Sequence, residues 1–141
     1  IESDGAVSVT GLESAYNTYD GLVIANDTGA TAKTVTLNTL NLRENGYTGV
    51  SIDSLGIVTI TNAWSVSNGH DGFYVHTHAN TLMYYSGATN NDWTGMYIDL
   101  ASGVAIPGNL TLTGCFWYGN LRNDPFGDTN LMFFGGTKTI L

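Results

Sequence analysis

Two histidines and two carboxylates recur at spacings that could bring them together as transition-metal ligands. Asp53, His76 and Asp99 succeed one another at intervals of 23 residues, and His78 follows His76 by the two residues that return a strand to the same face. The same spacing also predicts a surface ladder in which His76 lies between two carboxylates that favour its charged form. We favour the ladder, because nothing in the sequence fixes a ligand geometry, and we expect neither a metal ion nor another cofactor.

Carboxylates close to predicted turns are the candidates for hydrolytic chemistry. These side chains belong to Asp71, Asp92, Asp124 and Asp128. Glycoside hydrolysis needs two carboxyl groups that face each other across a sugar, whereas carboxylates in turns can instead accept hydrogen bonds from the backbone. Elimination chemistry on acidic sugars would need a basic residue beside a calcium-binding carboxylate cluster, and none of the basic residues has such a cluster beside it. We therefore predict that this chain is not an enzyme.

An aromatic column is the candidate surface for carbohydrate binding. Its members each lie two residues after a recurring asparagine, and they are Tyr19, Tyr47, His70 and Trp93. Exposed rings in a row could contact the apolar faces of sugar rings. The alternative is that rings about 4.8 Å apart stack on one another and stiffen the turn. We favour the stacking interpretation.

The asparagines that precede these rings define a repeat of irregular length. They are Asn17, Asn45, Asn68, Asn91 and Asn120. Their separations are 28, 23, 23 and 29 residues, which no helical or heptad period produces. The first four are each followed, four residues later, by a glycine: Gly21, Gly49, Gly72 and Gly95. A unit of this length cannot bury its own apolar face, so the repeats must stack on one another as the coils of a solenoid.

Apolar columns keep their positions within each repeat. The first column is Val7, Val35, Val58, Thr81 and Leu110. The column two residues later is Val9, Leu37, Ile60, Met83 and Leu112. Further columns are Leu12, Leu40, Ala63, Ser86 and Cys115, then Leu22, Val50, Phe73 and Met96, then Ile24, Ile52, Val75 and Ile98. The period of two indicates strands with one buried face, so each coil is predicted to contain three strands. Length varies only in the connections Ala25–Ala32, Asp99–Asn109 and Leu121–Asn130.

The recurring asparagine has two predicted roles. Asn accepts the left-handed backbone conformation at low cost, and its side chain can bond nearby backbone groups. Stacked coils bring equivalent side chains to within about 4.8 Å of each other, so the amides can form hydrogen bonds from coil to coil. We predict that all five asparagines form one such ladder.

The acidic charge balance argues against several classes of partner. The formal net charge is −8, and the basic residues are Lys33, Arg43, Arg122 and Lys138. Nucleic acids and anionic membranes attract clustered Lys and Arg, so neither is an expected partner. No apolar run is long enough for a membrane helix. Few charges and abundant Thr, Asn and Gly are common in exported bacterial surface proteins, which predicts a location outside the cell. The single cysteine, Cys115, permits no internal disulfide and is predicted to be buried.

The two ends of the chain have the pattern of unfinished coils. Ile1 stands six residues before the first column, the distance that separates Ile52 from Val58. Lys138-Thr139-Ile140 repeats Lys33-Thr34-Val35, which predicts the first strand of a further coil. Open strand edges recruit other strands, so we expect assembly at both ends. The candidate assembly residues are Ile1, Glu2, Ser3, Thr139, Ile140 and Leu141. Either the segment comes from a longer array, or identical chains stack head to tail as an open filament.

The repeats also resemble a known family. Val35-Thr36-Leu37, continued by Asn45-Gly46-Tyr47-Thr48-Gly49-Val50-Ser51-Ile52, resembles the repeats of right-handed parallel β-helices in the pectin-lyase-like superfamily. The unit from Val58-Thr59-Ile60-Thr61-Asn62 to Ser67-Asn68-Gly69-His70-Asp71-Gly72-Phe73-Tyr74-Val75 is similar to repeats in large bacterial surface and adhesin-like proteins. The resemblance implies a right-handed coil of three sheets with an Asn ladder, and a structural or adhesive role outside the cell. No position here matches the catalytic residues of the enzyme branch.

We therefore expect one all-β domain spanning residues 1–141, a right-handed parallel β-helix (β-solenoid) of about five coils of 23–29 residues with an Asn ladder. Its expected function is that of a structural segment of an extracellular bacterial surface fibre or adhesin. Its expected partners are copies of itself or flanking repeats of the same precursor. The alternative is a carbohydrate-binding or polysaccharide-cleaving module with surface glycans as partners.

Overall fold

The computed structural model describes residues 1–27, 29, 31–100, 103, 105, 107–121 and 131–141. This part of the chain contains thirteen β-strands and no helix. Buried and outward residues alternate along strands such as Val50–Ser54, because successive side chains of a strand point to opposite faces. The strands are β1 (Val7–Ala15), β2 (Leu22–Asn26), β3 (Val35–Arg43), β4 (Val50–Ser54), β5 (Val58–Val66), β6 (Phe73–Thr77), β7 (Thr81–Tyr84), β8 (Gly87–Thr89), β9 (Met96–Asp99), β10 (Leu110–Thr113), β11 (Phe116–Tyr118), β12 (Leu131–Phe134) and β13 (Lys138–Ile140).

The strands stack in parallel, which confirms a parallel β-helix. One hydrogen-bonded sheet has the order β1-β3-β5-β7-β10-β13, with β8 pairing to β5 and β11 to β8. The second sheet has the order β12-β9-β6-β4-β2. Every strand pair among the described residues is parallel. Neighbours in space are one coil apart in sequence, so each coil rests on the previous one and equivalent residues lie above one another.

The two sheets form three faces because the larger sheet bends. Strands β1, β3 and β5 run through this bend, whereas the next two coils are divided there into β7 and β8 and into β10 and β11. We call the side with β7 the first face, the side with β8 the second face, and the smaller sheet the third face. The residues at the bend have positive φ, and they are Gly11 (68°), Thr39 (58°), Asn62 (52°), Tyr85 (49°) and Gly114 (59°). The expectation of three separate sheets is corrected to two, since strand pairing continues around the bend.

The predicted apolar columns line the interior in the predicted register. Val7, Val35, Val58, Thr81 and Leu110 occupy one position in consecutive coils. The column of Ile24, Ile52, Val75 and Ile98 is fully buried in the third face. Sequence analysis did not place Leu131 and Phe133, which continue the third face in β12 beside Met96 and Ile98. The core is therefore one continuous apolar column that the stacking of coils shields from water.

The predicted strand at the start of the chain is present in part. Glu2 forms a parallel bridge with Ala25, which puts Ile1 beside Ile24 as expected. The Ser3 N–H donates to the Ala25 carbonyl at 3.0 Å. This short segment therefore extends the third face below β2.

At the other end of the chain a further strand is present, but the predicted register was wrong. Lys138 pairs with Leu110, so Lys138 occupies the position of Val35, and the predicted alignment of Ile140 with Val35 is shifted by two residues. The Asn109 side-chain oxygen accepts the backbone N–H just before β13 at 2.8 Å. This bond helps to set the register. The similarity of the two Lys-Thr segments does not, because the two segments do not pair with each other.

Cys115 lies in its predicted column but is only half-buried. Its Sγ donates to the Met83 carbonyl at 3.4 Å, and burial raises the pKa of the thiol above its usual value. The thiol is therefore neutral at pH 7 and packs as a small apolar group. Arg122, Asp124 and Asp128 lie outside the described residues, as do nearly all of Leu121–Asn130 and parts of the other two predicted insertions.

Candidate functional site

The turn between the second and third faces carries the recurring asparagine, and we call it the ladder turn. Each asparagine donates from Nδ2 to the Oδ1 of the asparagine in the next coil. The Nδ2–Oδ1 distances between successive members of the series Asn17, Asn45, Asn68, Asn91 and Asn120 are 2.8, 2.9, 3.0 and 2.9 Å. The three central members are almost completely buried. The predicted ladder is confirmed.

The backbone adds bonds to the ladder that the sequence analysis did not foresee. The N–H of each of the first four asparagines also donates to the Oδ1 of the next asparagine, at 3.0–3.3 Å. The other Nδ2 hydrogen of the upper four asparagines donates to a carbonyl of the preceding coil at 3.1–3.2 Å. The polar atoms of the central side chains are therefore satisfied, as burial requires. All five amides point in the same direction along the stack.

The left-handed residue of the ladder turn is not the asparagine, and the predicted reason for its recurrence is corrected. Positive φ falls on the residue immediately before it in each coil, namely Tyr16 (58°), Glu44 (53°), Ser67 (55°), Asn90 (56°) and Gly119 (68°). Side chains with a Cβ accept that conformation at a cost of roughly 1–2 kcal/mol. The asparagine recurs because its amide bonds two neighbouring coils at once.

The turn glycines are required because there is no room for a side chain between the coils, and not because the backbone has a positive φ. None of Gly21, Gly49 and Gly72 has a positive φ. A Cβ on Gly21 would lie 2.6 Å from the Gly49 carbonyl oxygen and 2.7 Å from the amide nitrogen of Asn45. A Cβ on Gly72 would meet the amide nitrogen of Asn91 at 2.8 Å in the same way. The glycine therefore makes room for the ladder amide of the next coil.

The rings of the predicted aromatic column stack on one another over three coils. The centroids of Tyr47 and His70 are 4.4 Å apart, and those of His70 and Trp93 are 5.2 Å apart, with interplanar angles of 19° and 15°. Neighbouring rings therefore cover both faces of His70. Tyr19 is 77% exposed, and no ring stacks on it within the described residues. Glycan contact by this column stays a prediction.

Two aspartates beside the ladder turn bind the backbone of the coil above. Asp20 Oδ1 accepts the Thr48 N–H at 2.8 Å, and Asp71 Oδ1 accepts the Thr94 N–H at 3.0 Å. The second oxygen of Asp71 lies 3.0 Å from His70 Nδ1. Burial raises the pKa of the Asp71 carboxyl above its usual value, although His70 and the bonds from Thr94 act to lower it. Asp71 thus accepts a hydrogen bond from the backbone in the turn. This is the role that the sequence predicted as the alternative to hydrolytic chemistry.

A notch of about 290 Å³ opens between the ladder turn and the third face. Its lining includes three rings and two carboxylates, and the lining residues are Asp20, Tyr47, Thr48, Ser51, His70, Asp71 and Tyr74. Ser51 takes the outward position that Tyr74 and Tyr97 occupy in the next two coils. The small serine side chain leaves the space that a third stacked ring would fill. We refer to this cavity as the notch.

The predicted metal candidates lie on the third face in neighbouring coils. His76 Nδ1 lies 3.0 Å from Asp53 Oδ1, and the rings of His76 and His78 meet edge to face with centroids 5.7 Å apart. Asp99 is the register neighbour of His76 in the next coil. Throughout the described ranges, no three His, Cys, Asp or Glu side chains are arranged to hold one ion.

A second depression, which we call the Trp64 groove, lies along the bend in the first three coils. It encloses about 620 Å³. Its polar and aromatic lining residues are Glu13, Thr39, Asn41, Asn62 and Trp64. The Trp64 ring extends over Gly87 and contacts Phe116, with centroids 4.9 Å apart. The sequence did not predict this groove, because the outward column that contains Trp64 has a different residue type in each coil.

The predicted assembly residues lie at opposite ends of the stack. Ile1 is 55% exposed at one end, and Ile140 is 53% exposed at the other. Leu141 remains bound to the coil below, since its N–H donates to the Leu112 carbonyl at 2.8 Å. Within the described residues, the outer edges of β1 and β13 pair with no further strand.

Comparison with protein-family models, with curated proteins and with solved structures finds no match to this chain. Its own geometry therefore carries the functional argument. The part of the chain that the structure describes also contains no helix of the length and apolar character needed to cross a membrane.

Proposed function

We propose that this chain is a rigid structural segment of a fibre or adhesin, in which its coils continue into further coils at both ends. The observation that carries this proposal is the Asn ladder, which joins every described coil to the next through amides that all point one way. A stack of this kind extends by adding identical bonds at its ends. The neighbouring coil would belong to a second copy or to a flanking repeat of a longer chain.

The ends of the stack supply the chemistry for such extension. Asn17 Oδ1 accepts no hydrogen bond from the described residues, although the equivalent atom of each later ladder residue accepts two. The outer edges of β1 and β13 likewise present backbone groups without a partner strand. Strand edges of this kind bind further strands. An incoming coil would therefore find matching donors and acceptors in both the sheets and the ladder.

Composition supports placing this segment on the outside of a bacterial cell. Charged residues make up 11% of the chain, and the four basic residues are outnumbered by twelve acidic ones. A chain with this net negative charge does not favour nucleic acid or anionic membrane as a partner.

Electron cryomicroscopy of the purified chain tests self-assembly directly. The first face contains six stacked strands, so chains that stack end to end would repeat every ~29 Å at the usual strand spacing. Fibres with this axial rise are the expected result. Folded monomers at high concentration would overturn assembly between copies and leave continuation into flanking repeats, which a longer natural chain would then test.

A pair of neighbouring variants tests whether the end of the stack carries the contact. Ile140 lies in the inward column with Leu112, whereas Thr139 lies beside Thr111 on the outward side. Ile140→Lys would place a charge over the open apolar end and should abolish fibres, because an unpaired charge is costly to bury. Thr139→Lys should leave them intact. Equal loss of fibres in both variants, or in neither, would contradict the proposed contact.

Carbohydrate binding is the second candidate function, and the Trp64 groove favours it. A large ring beside carboxylate, amide and hydroxyl groups is the usual composition of a small-molecule site, in which a few polar groups orient the ligand. Glycan-array binding that is lost in Trp64→Ala but kept in Trp93→Ala would support this groove. Loss in Trp93→Ala alone would assign binding to the turn column, and no binding to any glycan would argue against the function.

A further inference from the structure

We propose that the notch binds the primary ammonium group of a small organic cation. This site goes beyond the structural function proposed above and does not depend on it, because the notch lies on the side of the stack and is formed by residues of three neighbouring coils. Three features of the notch favour such a ligand: its two carboxylates, its aromatic lining and its size.

Two carboxylates line the notch without a Lys or Arg partner among the described residues. Asp20 and Asp71 each accept a backbone N–H with one oxygen, and the second oxygen of Asp71 contacts His70. No Lys or Arg of the described residues forms an ion pair with either aspartate. The guanidinium of Arg43 is bound to Glu13 and Glu44 on another part of the surface. The notch therefore attracts a positive charge from solution.

The walls of the notch suit the organic part of such a ligand. Tyr47, His70 and Tyr74 line the notch, and the rings of the two tyrosines can attract a cation at their faces. The pKa of the Tyr74 hydroxyl is raised, first by burial and then by several carboxylates that include Asp71. Asp71 is thus one of several carboxylates that act on this ring, in addition to its burial.

The chemistry of the lining favours a primary ammonium over a quaternary one. A primary ammonium has three N–H donors, and the second oxygen of Asp20 and the Ser51 hydroxyl can accept them, while the nearly buried Asp71 carboxylate adds negative charge. A quaternary ammonium could use only the rings. A neutral sugar could stack on the open face of Tyr74, but it carries no positive charge for Asp20 and Asp71 to attract. The volume of about 290 Å³ admits an ammonium on a short stem.

Titration of the full chain with n-butylammonium chloride, followed by NMR, tests the assignment. The backbone N–H groups of Thr48 and Thr94 donate to the two aspartates and should report occupancy by saturable shifts at about millimolar ligand, as expected for so few atoms. Solid-state spectra serve if the chain forms fibres. n-Butanol and tetramethylammonium should bind at least tenfold more weakly. Equal binding of tetramethylammonium would overturn the primary-ammonium assignment, and the absence of saturable shifts would overturn the site.

Isosteric variants separate the site from general attraction to an acidic protein. Asp71→Asn and Asp20→Asn keep a side-chain oxygen for the backbone N–H and should each weaken n-butylammonium binding at least tenfold. Asp92→Asn removes the same charge from an exposed turn position outside the notch and should change binding less than twofold. If all three variants weaken binding equally, the ammonium is attracted by net charge alone and the proposal is wrong. An unchanged affinity in both notch variants would also overturn it.

Discussion

The ladder turn and the bend turn the chain at opposite ends of the second face, yet their sequences obey different rules. Both contain one left-handed residue in every coil. At the bend that position is filled by Gly, Thr, Asn and Tyr, and in the ladder turn the equivalent position is equally varied. The neighbouring ladder position is asparagine in all five coils. A backbone conformation is a local requirement that many residues meet at a modest cost, whereas a bond between side chains of successive coils requires the same residue each time.

Of the substitutions that test this comparison, the removal of one ladder amide should have the largest effect on stability. In Asn68→Ala, the ladder loses its bonds to Asn45 and Asn91, and the Leu42 carbonyl loses a donor. Several buried polar groups are then unsatisfied, at about 1–3 kcal/mol each, so we expect the free energy of unfolding to fall by at least about 3 kcal/mol.

The matched control for this variant is Thr59→Ala, which changes an outward side chain on the first face. Its expected effect is within about 0.5 kcal/mol. Chemical denaturation followed by circular dichroism measures both. Equal losses in the two variants would show that the ladder does not stabilise the fold.

Two glycine substitutions separate the spatial requirement of the ladder turn from the backbone requirement of the bend. In Gly72→Ala, the new methyl group would meet the ladder amide of Asn91, and such overpacking costs about 1–3 kcal/mol. In Gly11→Ala, the methyl group would have no atom within 4 Å, and the positive φ alone costs roughly 1–2 kcal/mol. We expect Gly72→Ala to lower the melting temperature more. The reverse order would mean that backbone strain dominates both turns.

A glycine introduced at the bend should stabilise the protein. Thr39 is β-branched and has a φ of 58°, so Thr39→Gly relieves strain of roughly 1–2 kcal/mol. The greater freedom of glycine in the unfolded chain offsets about 0.4–1 kcal/mol of this gain. The expected net gain is about 0.5 kcal/mol. Thr36→Gly, on the same strand with ordinary backbone geometry, should instead destabilise, and loss of stability in both variants would contradict the strain argument.

The smallest expected effect is the pH dependence that Asp71 adds to the stability of the fold. Its folded pKa is raised above the usual value near 3.8, so the folded state holds this proton more tightly than the unfolded state. The contribution is therefore favourable at low pH and is lost as pH rises from about 4 through the raised pKa. The stability of Asp71→Asn, measured against pH, should lack this decline, whereas Asp92→Asn should retain it. A steeper loss of stability with rising pH in Asp71→Asn would mean that folding lowers the pKa of Asp71 instead of raising it.

Side-chain periodicity was sufficient to predict the coils, because inward residues and ladder amides repeat wherever coils contact each other. The left-handed positions could not be predicted, since residues as different as Tyr16 and Glu44 occupy one of them. The register of β13 was missed because Ile140 was matched to the first apolar column, whereas it lies in the second column beside Leu112. The notch was missed because it exists where the small Ser51 precedes the rings of Tyr74 and Tyr97 in one outward column, and a single change of side-chain size has no period.

The stacking of coils also determines how the solenoid would respond to force. Backbone hydrogen bonds between coils run along the axis, so a coil pulled from the end of the stack must lose its bonds to the next coil before its chain can extend. When a coil of 23 residues detaches, its chain can lengthen by roughly 70 Å, against the ~4.8 Å that it occupied in the stack. The coils of 28 and 29 residues would release roughly 85–90 Å. The irregular spacing of the asparagines therefore predicts a sequence of unequal steps when a single molecule is pulled apart.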